Sequence, residues 1–251
     1  MAHPPADHRH EGDRIPDVSF RVRRDDDWAV VEGRSLFDGK NVIVFSLPGA
    51  FTPTCSSTHL PRYQQLAPTF RRLGIDTIAC VSVNDPFVMA EWARDQHCDD
   101  ILMLPDGNAE FTRQMGLLVD KSDLGFGQRS WRYAMLVRDG VIDRLFVEPD
   151  KEGDPFEVSD ADTMLRHLDP QARAPDAVAV LSRPGCPYCA RAKKQLKEAG
   201  YDFVDVPLDA SLRARALSAI AGQATVPQVF VNGERIGGAE DVDRWLKARA
   251  A

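Results

Sequence analysis

The spacing of apolar positions changes several times along this chain, and each change marks a new element. Residues 42–47 (VIVFSL) are an unbroken apolar run with β-branched members, which predicts a buried strand. From Thr54 the period lengthens. Leu60, Tyr63, Leu66, Ala67 and Phe70 fall three or four apart, and Gly74 suits the end of the resulting helix. A second strand is predicted over 78–83 (IACVSV), then a helix over 86–96 with Pro86 in its first turn. A third strand over 101–104 and a helix over 108–115 follow. Residues 132–138 and 141–147 flank Asp139-Gly140, the signal of a tight hairpin, and a helix over 160–168 comes after them. Strands alternating with helices, plus one hairpin, imply an α/β sheet of mixed strand direction. At the front, Pro4, Pro5, His3, His8 and His10 among polar residues predict a disordered tail over 1–14. Such a tail does not fix metal-ligand geometry. The acidic run from Asp25 to Asp27 predicts a solvated turn.

Residues 169–176, with Pro170 and Pro175, have the character of a short linker between a first domain at 15–168 and a second at 177–251. After the linker the order restarts: strand over 177–182, helix over 187–199, strand over 202–206, helix over 210–221. Strands over 228–231 and 234–236 flank Asn232-Gly233, a second hairpin signal, and a last helix covers 240–248. This βαβ-ββα order is the compact layout of a thioredoxin-like domain.

Composition narrows the function classes. With 251 residues, 43% hydrophobic and 27% charged, the chain is ordinary globular material. No stretch approaches the ~20 apolar residues of a membrane span, and the first residues lack the apolar core of a secretory signal. The net charge of −7 disfavours a general nucleic-acid binder. Residues 1–175 carry 20 basic and 29 acidic side chains, a net of −9, and residues 176–251 carry 11 and 9, a net of +2. The second unit is therefore the more receptive to an anion. The five cysteines, Cys55, Cys80, Cys98, Cys186 and Cys189, are an odd, sparse set unlike a secreted disulfide framework, and a reducing cytoplasm is expected.

Cys186-Pro187-Tyr188-Cys189 follows a predicted strand and opens a predicted helix. There the first sulfur meets free N–H groups and the positive end of the dipole, which favour thiolate. Cys189 lies one turn in, placed to resolve a disulfide on Cys186. Half a zinc site is the plainer reading of a CxxC, but no second CxxC and no spaced histidine pair completes it. The segment Arg183-Pro184-Gly185-Cys186-Pro187-Tyr188-Cys189 resembles the active site of glutaredoxins. Thr225-Val226-Pro227 resembles their TVP segment, and Gly237-Gly238-Ala239-Glu240-Asp241 their GG-x-D-D segment with Glu for the first Asp. The resemblance implies a cis-proline at Pro227 facing the dithiol and a glutathione site. Cys186 would bond the glutathione sulfur, beside Tyr188. Val226, between Thr225 and Pro227, would pair with the cysteinyl backbone. The glutamyl carboxylate would sit near Gly238, Ala239 and Glu240, and Arg183 would attract the glycyl carboxylate.

In the first domain, Pro48-Gly49-Ala50-Phe51-Thr52-Pro53-Thr54-Cys55-Ser56 follows a buried strand and precedes an amphipathic helix, so Cys55 sits in a first helical turn. Thr52 is placed to share a small oxygen-bearing ligand with the sulfur, and Pro48 and Pro53 stiffen the loop. A cysteine nucleophile needs a base or a cation. His59, one turn on, is one candidate, although a helix neighbour is more often simply packed. An arginine from elsewhere serves better because its charge is permanent. The segment resembles the peroxiredoxin signature Pro-x-x-x-Thr-x-x-Cys, of the type-five kind, over residues 15–168. Cys80-Val81-Ser82-Val83-Asn84-Asp85 and Phe126-Gly127-Gln128-Arg129-Ser130 match as well. The resemblance implies that Cys55 attacks a peroxide and becomes a sulfenic acid. Thr52 and an arginine, Arg129 with Arg132 as the alternative, would hold the peroxide oxygens. Cys80 is expected in the core, and Cys98 in a polar, acidic setting that does not favour thiolate. Residues 148–159 offer no resolving cysteine.

Together these resemblances describe an α/β protein of two thioredoxin-like domains, an elaborated peroxiredoxin followed by a compact glutaredoxin. They imply a glutathione-dependent peroxidase that needs no bound cofactor or metal and uses glutathione as co-substrate. Glutathione reductase would be an indirect partner, and a homo-oligomer (dimer or tetramer) is expected by analogy. Two rivals remain: a peroxide sensor or redox-regulated chaperone, and an oxidoreductase for glutathionylated proteins that uses the first domain for docking.

Overall fold

The apolar run at 42–47 becomes the middle strand of a five-stranded sheet, and it is apolar throughout because both its faces are covered. The computed structural model describes residues 7–24, 27–151, 154–172, 175–209 and 214–250. Two units separate at Met1–Ala174 and Pro175–Ala251, inside the predicted linker. The first unit begins with a hairpin, β1 (Phe20–Arg24) and β2 (Asp27–Val31), and a short helix, α1 (Gly33–Phe37). Then come β3 (Asn41–Ser46), a π-helical turn at Cys55–His59 running into α2 (Leu60–Arg72), β4 (Thr77–Ser82), α3 (Pro86–Asp95), β5 (Leu102–Pro105) and α4 (Glu110–Met115). The two-stranded pair β6 (Leu118–Asp120) and β7 (Gln128–Ser130) precedes β8 (Tyr133–Arg138), β9 (Val141–Val147) and α5 (Ala161–Leu168).

The main sheet has the order β5-β4-β3-β8-β9, with β3, β4 and β5 parallel and β8 and β9 antiparallel. Alternation along β3 sends Ile43 and Phe45 to one face and Val42 and Val44 to the other. The first face carries Cys55 and packs against α2, α3 and α5 through Leu60, Tyr63, Trp92 and Met164. The second packs against Phe20, Leu36, Phe37 and Phe111. A strand covered on both sides reads as a continuous apolar run.

Residues 7–14 correct the expectation of a disordered tail. Arg9 N–H donates to Met115 O (2.9 Å), Gly12 N–H to Ile142 O (2.8 Å) and Ile15 N–H to Gly140 O (2.9 Å). Gly116 permits the crossing: its φ is +75°, and a Cβ there would meet Asp7 O at 2.7 Å. Residues 1–6, with His3, Pro4 and Pro5, lie outside the described residues, as do Asp25 and Asp26 of the acidic run.

The second unit has β10 (Val178–Ser182), α6 (Pro187–Glu198), β11 (Val204–Pro207), α7 (Ala214–Ala221), β12 (Gln228–Val231), β13 (Glu234–Gly237) and α8 (Ala239–Ala250). Residues 210–213, the start of one predicted helix, lie outside the described residues. Its sheet runs β11-β10-β12-β13, with β10 parallel to β11 and antiparallel to β12. Both hairpin signals form their turns, with Asp139 and Gly140 at φ 48° and 72° and Asn232 and Gly233 at 51° and 84°. Among the described residues no helix is long and apolar enough to cross a membrane.

One stability consequence is local. Helix α4 starts from Ala109 in a left-handed conformation with no side-chain cap of its own. Buried Asp106 substitutes, accepting from Phe111 N–H (3.1 Å), Thr112 N–H (2.8 Å) and the Thr112 hydroxyl (2.6 Å). Asp106→Ala strands all three donors and is expected to lower stability by about 1–3 kcal/mol. A guanidinium unfolding midpoint equal to that of the wild type would contradict this.

Candidate active sites

Cys55 lies where the helix entry meets the sheet, fully buried. Ser56 N–H donates to Thr52 O (3.0 Å), which closes the first helical turn around the cysteine, and Leu60 N–H reaches back to Cys55 O. That five-residue reach makes a π-helical turn, a local widening often found at functional sites. Pro48 is buried and Pro53 exposed. The Thr52 hydroxyl donates to Gly49 O (2.9 Å), so its lone pairs stay available to a ligand. Asn84 braces the same loop, its Oδ1 accepting from Ala50 N–H (3.1 Å).

The two candidate arginines have different surroundings. Arg129, on β7, is half-buried and spends its fork on backbone carbonyls, Phe126 O (2.9 Å) and Val83 O (2.6 Å). Arg132 is 2% exposed. Its Nη1 donates to His59 Nδ1 (3.0 Å) and its Nη2 to Asp154 Oδ2 (2.5 Å), while Nε has no acceptor among the described residues. The guanidinium lies 5.4 Å from the Phe156 ring centroid.

His59 is buried with Phe45 and Phe156 against its ring (centroids 4.9 and 4.8 Å away), and its Nε2 faces Ser159 O at 3.2 Å. Burial, reinforced by the charge of Arg132, lowers its pKa from 6.5 to about 3. Sequence reasoning left open a proton-handling role for His59; the imidazole stays neutral at ordinary pH. The segment behind it is held by Glu148, 1% exposed. The carboxylate accepts from the N–H groups of Glu157, Val158 and Ser159 (2.8, 2.9 and 2.8 Å) and from the Ser159 hydroxyl (2.7 Å). Glu148, Asp154 and Ser159 were not identified from the sequence, because single polar residues in a loop carry no periodic signal.

Cys80 is in the core as expected. Burial pushes its thiol well above the ordinary range; Cys98 and Cys55 act in the same direction and Arg132 against it. Cys55 and Cys80 share one apolar cluster on this face of the sheet. Cys98 differs from expectation. It is 7% exposed and packs into the same apolar cluster, and burial raises its thiol to about 12. His97, at φ 48°, turns the chain so that Cys98 points inward from its acidic neighbours.

In the second unit Cys186 caps α6, its Sγ accepting from Cys189 N–H at 3.3 Å. Val226 O lies 4.0 Å from that sulfur, and the Val226–Pro227 bond is cis, as the resemblance implied. Desolvation opposes the Cys186 thiolate. Hydrogen bonds from Cys189 and from the backbone of Tyr188, with the charge of Arg183, outweigh it, so the pKa falls below the ordinary value. Burial, with the Cys186 hydrogen bond, raises Cys189 to about 11. Tyr188, Arg183, Thr225 and Glu240 are exposed, and Ala239 is buried at the start of α8. Asp241 reaches back to Gly238 N–H (2.8 Å), a capping contact. The first N–H groups of α8, at Ala239 and Glu240, have no acceptor within the helix. Gln228 links Thr225 O (2.8 Å) to Arg235 Nε (2.8 Å) behind the cis-proline.

Comparison with known proteins agrees with this geometry. The redoxin family model matches residues 10–165 and the glutaredoxin model residues 178–236. The hybrid peroxiredoxin hyPrx5 of Haemophilus influenzae is 52% identical over 236 residues, covering 94% of this chain and 98% of that protein. The chain belongs to the peroxiredoxins, as a hybrid carrying a glutaredoxin domain. Peroxiredoxin sll1621 of Synechocystis is 53% identical over 169 residues, covering 62% of this chain and 89% of that protein. The crystal structure of reduced Prx3 in complex with H2O2 from Vibrio vulnificus matches with a TM-score of 0.60 and 42% identity, over 64% of this chain and 99% of that one. The hybrid is thus a peroxiredoxin thiol peroxidase in which both domains have thioredoxin-like folds.

Two measurements follow from the ionisations. A base whose folded pKa lies below its unfolded value leaves the unfolded chain binding more protons between the two, so stability falls as pH drops below 6.5 toward about 3. His59 then contributes a slope approaching about 1.4 kcal/mol per pH unit. His59→Asn should flatten unfolding free energy between about pH 6.5 and 5, and a wild-type slope in the variant would contradict the assignment. At Cys186, Arg183→Gln should move the pH profile of alkylation upward, because a positive charge beside the thiolate is lost. An unmoved inflection leaves the helix start as the whole cause.

Proposed function

We propose that the hybrid peroxiredoxin reduces hydroperoxides at the expense of glutathione, with the glutaredoxin domain returning Cys55 to its reduced state. The Cys55 thiolate attacks the terminal peroxide oxygen; the O–O bond breaks, alcohol or water leaves, and the sulfur becomes a sulfenic acid. Glutathione condenses with it and water leaves. Cys186 then attacks the glutathionyl sulfur, releasing Cys55 as thiolate, and a second glutathione takes the group from Cys186 as glutathione disulfide. Covalent fusion raises the effective concentration of the second thiol. Glutathione reductase regenerates the reductant, and no bound cofactor enters the cycle. A homo-oligomer working in the cytoplasm is the setting this reading uses.

The observation that carries the reading is the contrast among the thiols. Cys80 and Cys98 are raised by burial, which disfavours either as a resolving thiolate, while Cys186 is lowered at a helix start. For the peroxide step we assign the guanidinium of Arg132 in place of Arg129, since Arg129 is engaged by two carbonyls and Arg132 keeps a buried donor unpaired. Thr52 and Arg132 then stabilise the charge that develops as the O–O bond breaks. Glutathione would lie along Val226, with its carboxylates toward Arg183 and the start of α8.

The test is steady NADPH consumption with glutathione, glutathione reductase and hydrogen peroxide. Cys55→Ser and Cys186→Ser should abolish turnover, while Cys189→Ser stays within about threefold of the wild type, because monothiol exchange needs one nucleophile. Arg132→Met should slow the peroxide step by about 100-fold or more and Arg129→Met by far less. Retained turnover in Cys55→Ser would remove the peroxidatic assignment. Equal loss in Cys186→Ser and Cys189→Ser would replace the monothiol cycle by a dithiol route. A wild-type protein that stops after one turnover would indicate a sensor.

A further inference from the structure

The loop before Cys55 is held from outside by a segment that takes no part in the thiol chemistry. Phe51 stands at φ 61°, in the left-handed region that a bulky side chain rarely occupies, so its surroundings must fix it there. On one side of it lies the Gly49–Ala50 peptide group and on the other Thr52. Both ends of that peptide group are engaged. Its N–H, on Ala50, donates to Asn84 Oδ1 (3.1 Å), and its carbonyl, on Gly49, accepts from the Thr52 hydroxyl (2.9 Å). A Cβ on Gly49 would lie 3.3 Å from Thr52 Cγ2 and 3.9 Å from Asn84 Oδ1, so both residues crowd the glycine. Asn84 in turn stands on a fixed base. Its Oδ1 also accepts from the Ser82 hydroxyl (2.7 Å). Ser82 O accepts from Asp106 N–H (2.9 Å), and Val83 O from Arg129 Nη1 (2.6 Å). The Asp85 carboxylate accepts from Phe87 and Val88 N–H (2.8 and 3.0 Å) at the start of α3.

We propose that Asn84 is a positioning residue for peroxide reduction: its side-chain oxygen fixes the plane of the Gly49–Ala50 peptide and, through it, the direction of the Thr52 hydroxyl. The inference rests on the reading of Thr52 given above. A peptide group is planar, so holding its N–H sets the direction of its carbonyl. An N–H only donates, so the Asn84 atom facing Ala50 is the oxygen, and the Ser82 hydroxyl takes its second lone pair. A hydroxyl has one hydrogen. With that hydrogen on Gly49 O, Thr52 presents only lone pairs, and its ligand must bring a hydrogen, as a hydroperoxide does. Without Asn84 Oδ1 the loop loses the contact against which Phe51 is strained, and the Thr52 hydroxyl loses its fixed direction. Rate depends steeply on such placement, because reacting groups must be held close and aligned.

The experiment measures the second-order rate constant for Cys55 oxidation by hydrogen peroxide in full-length wild type, Asn84→Leu, Thr52→Val and the double variant. Thermal unfolding of each serves as the folding control. Leucine keeps the shape of asparagine and removes the acceptor; valine keeps the shape of threonine and removes the hydroxyl. Each single change should slow oxidation by more than about threefold. If Asn84 acts through Thr52 the two losses overlap, so Asn84→Leu should change the rate by less than about twofold once Thr52 is replaced by valine. A purely structural role makes the losses multiply, and an effect of about twofold or more in that background overturns the proposal. A rate within about threefold of the wild type in Asn84→Leu, beside a slow Thr52→Val, overturns the positioning role alone. A rate within about threefold of the wild type in Thr52→Val overturns the reading of Thr52 and the positioning role with it. Asn84→Asp keeps the accepting oxygen and should stay nearer to the wild type than Asn84→Leu; an equal or greater loss overturns the proposal. If Asn84→Leu does not fold, Asn84→Ala replaces it in the cycle under the same limits.

Discussion

A guanidinium taken out of water must find compensation, and around Arg132 that requirement organises the candidate site of the first domain. The charge is 2% exposed. Its desolvation is offset by a carboxylate at Asp154, a ring lone pair at His59 and the face of Phe156. Each of these is held by something else. His59 sits in the π-helical turn that begins at Cys55, and Phe156 and Asp154 belong to the segment leading to the loop that Glu148 gathers. The turn that begins at Cys55 and the surroundings of Arg132 are therefore joined through His59 by one set of contacts.

The second domain uses the opposite regime. Cys186 also occupies a helix start, but it is half-exposed, and its thiolate is favoured by short-range N–H donors and one exposed arginine. A buried nucleophile with a rigid cation suits a small substrate whose bond must be polarised. An open nucleophile suits a peptide-sized co-substrate that must come and go. The unlike charges of the two sequence halves would suit the glutathione route proposed above, since glutathione is an anion. Separate domains allow both regimes in one chain without compromise on burial.

The sequence made plain what depends on local period and turn chemistry. The run at 42–47, the Asp139-Gly140 and Asn232-Gly233 hairpins, Pro86 opening α3 behind its Asp85 cap, and both helix-start cysteines stand where their patterns placed them. What it hid depends on distant partners. The hairpin of β1 and β2 is largely solvent-facing on β2 and shows no clean alternation. Residues 7–14 are polar, yet backbone hydrogen bonds to Met115 and Ile142 order them. Arg129 and Arg132 were alike as letters. Their odd separation along an extended segment sends them to opposite sides, and burial alone tells them apart. Cys98 looked polar from its neighbours and is apolar by its packing. Glu148 had no signal, because a carboxylate that accepts four bonds from residues nine to eleven positions away looks like any surface acid.

In the proposed cycle Cys55 has no resolving thiol in its own domain and hands a glutathionyl group to Cys186. Peptide mapping by mass spectrometry tests it directly. Reduced protein is mixed with one equivalent of hydrogen peroxide, then with one equivalent of glutathione, and quenched by alkylation over a time course. A glutathione adduct should appear first on Cys55 and then on Cys186, with Cys80 and Cys98 remaining as free thiols throughout. A disulfide joining Cys55 to Cys80 or Cys98, formed before glutathione is added, would contradict it.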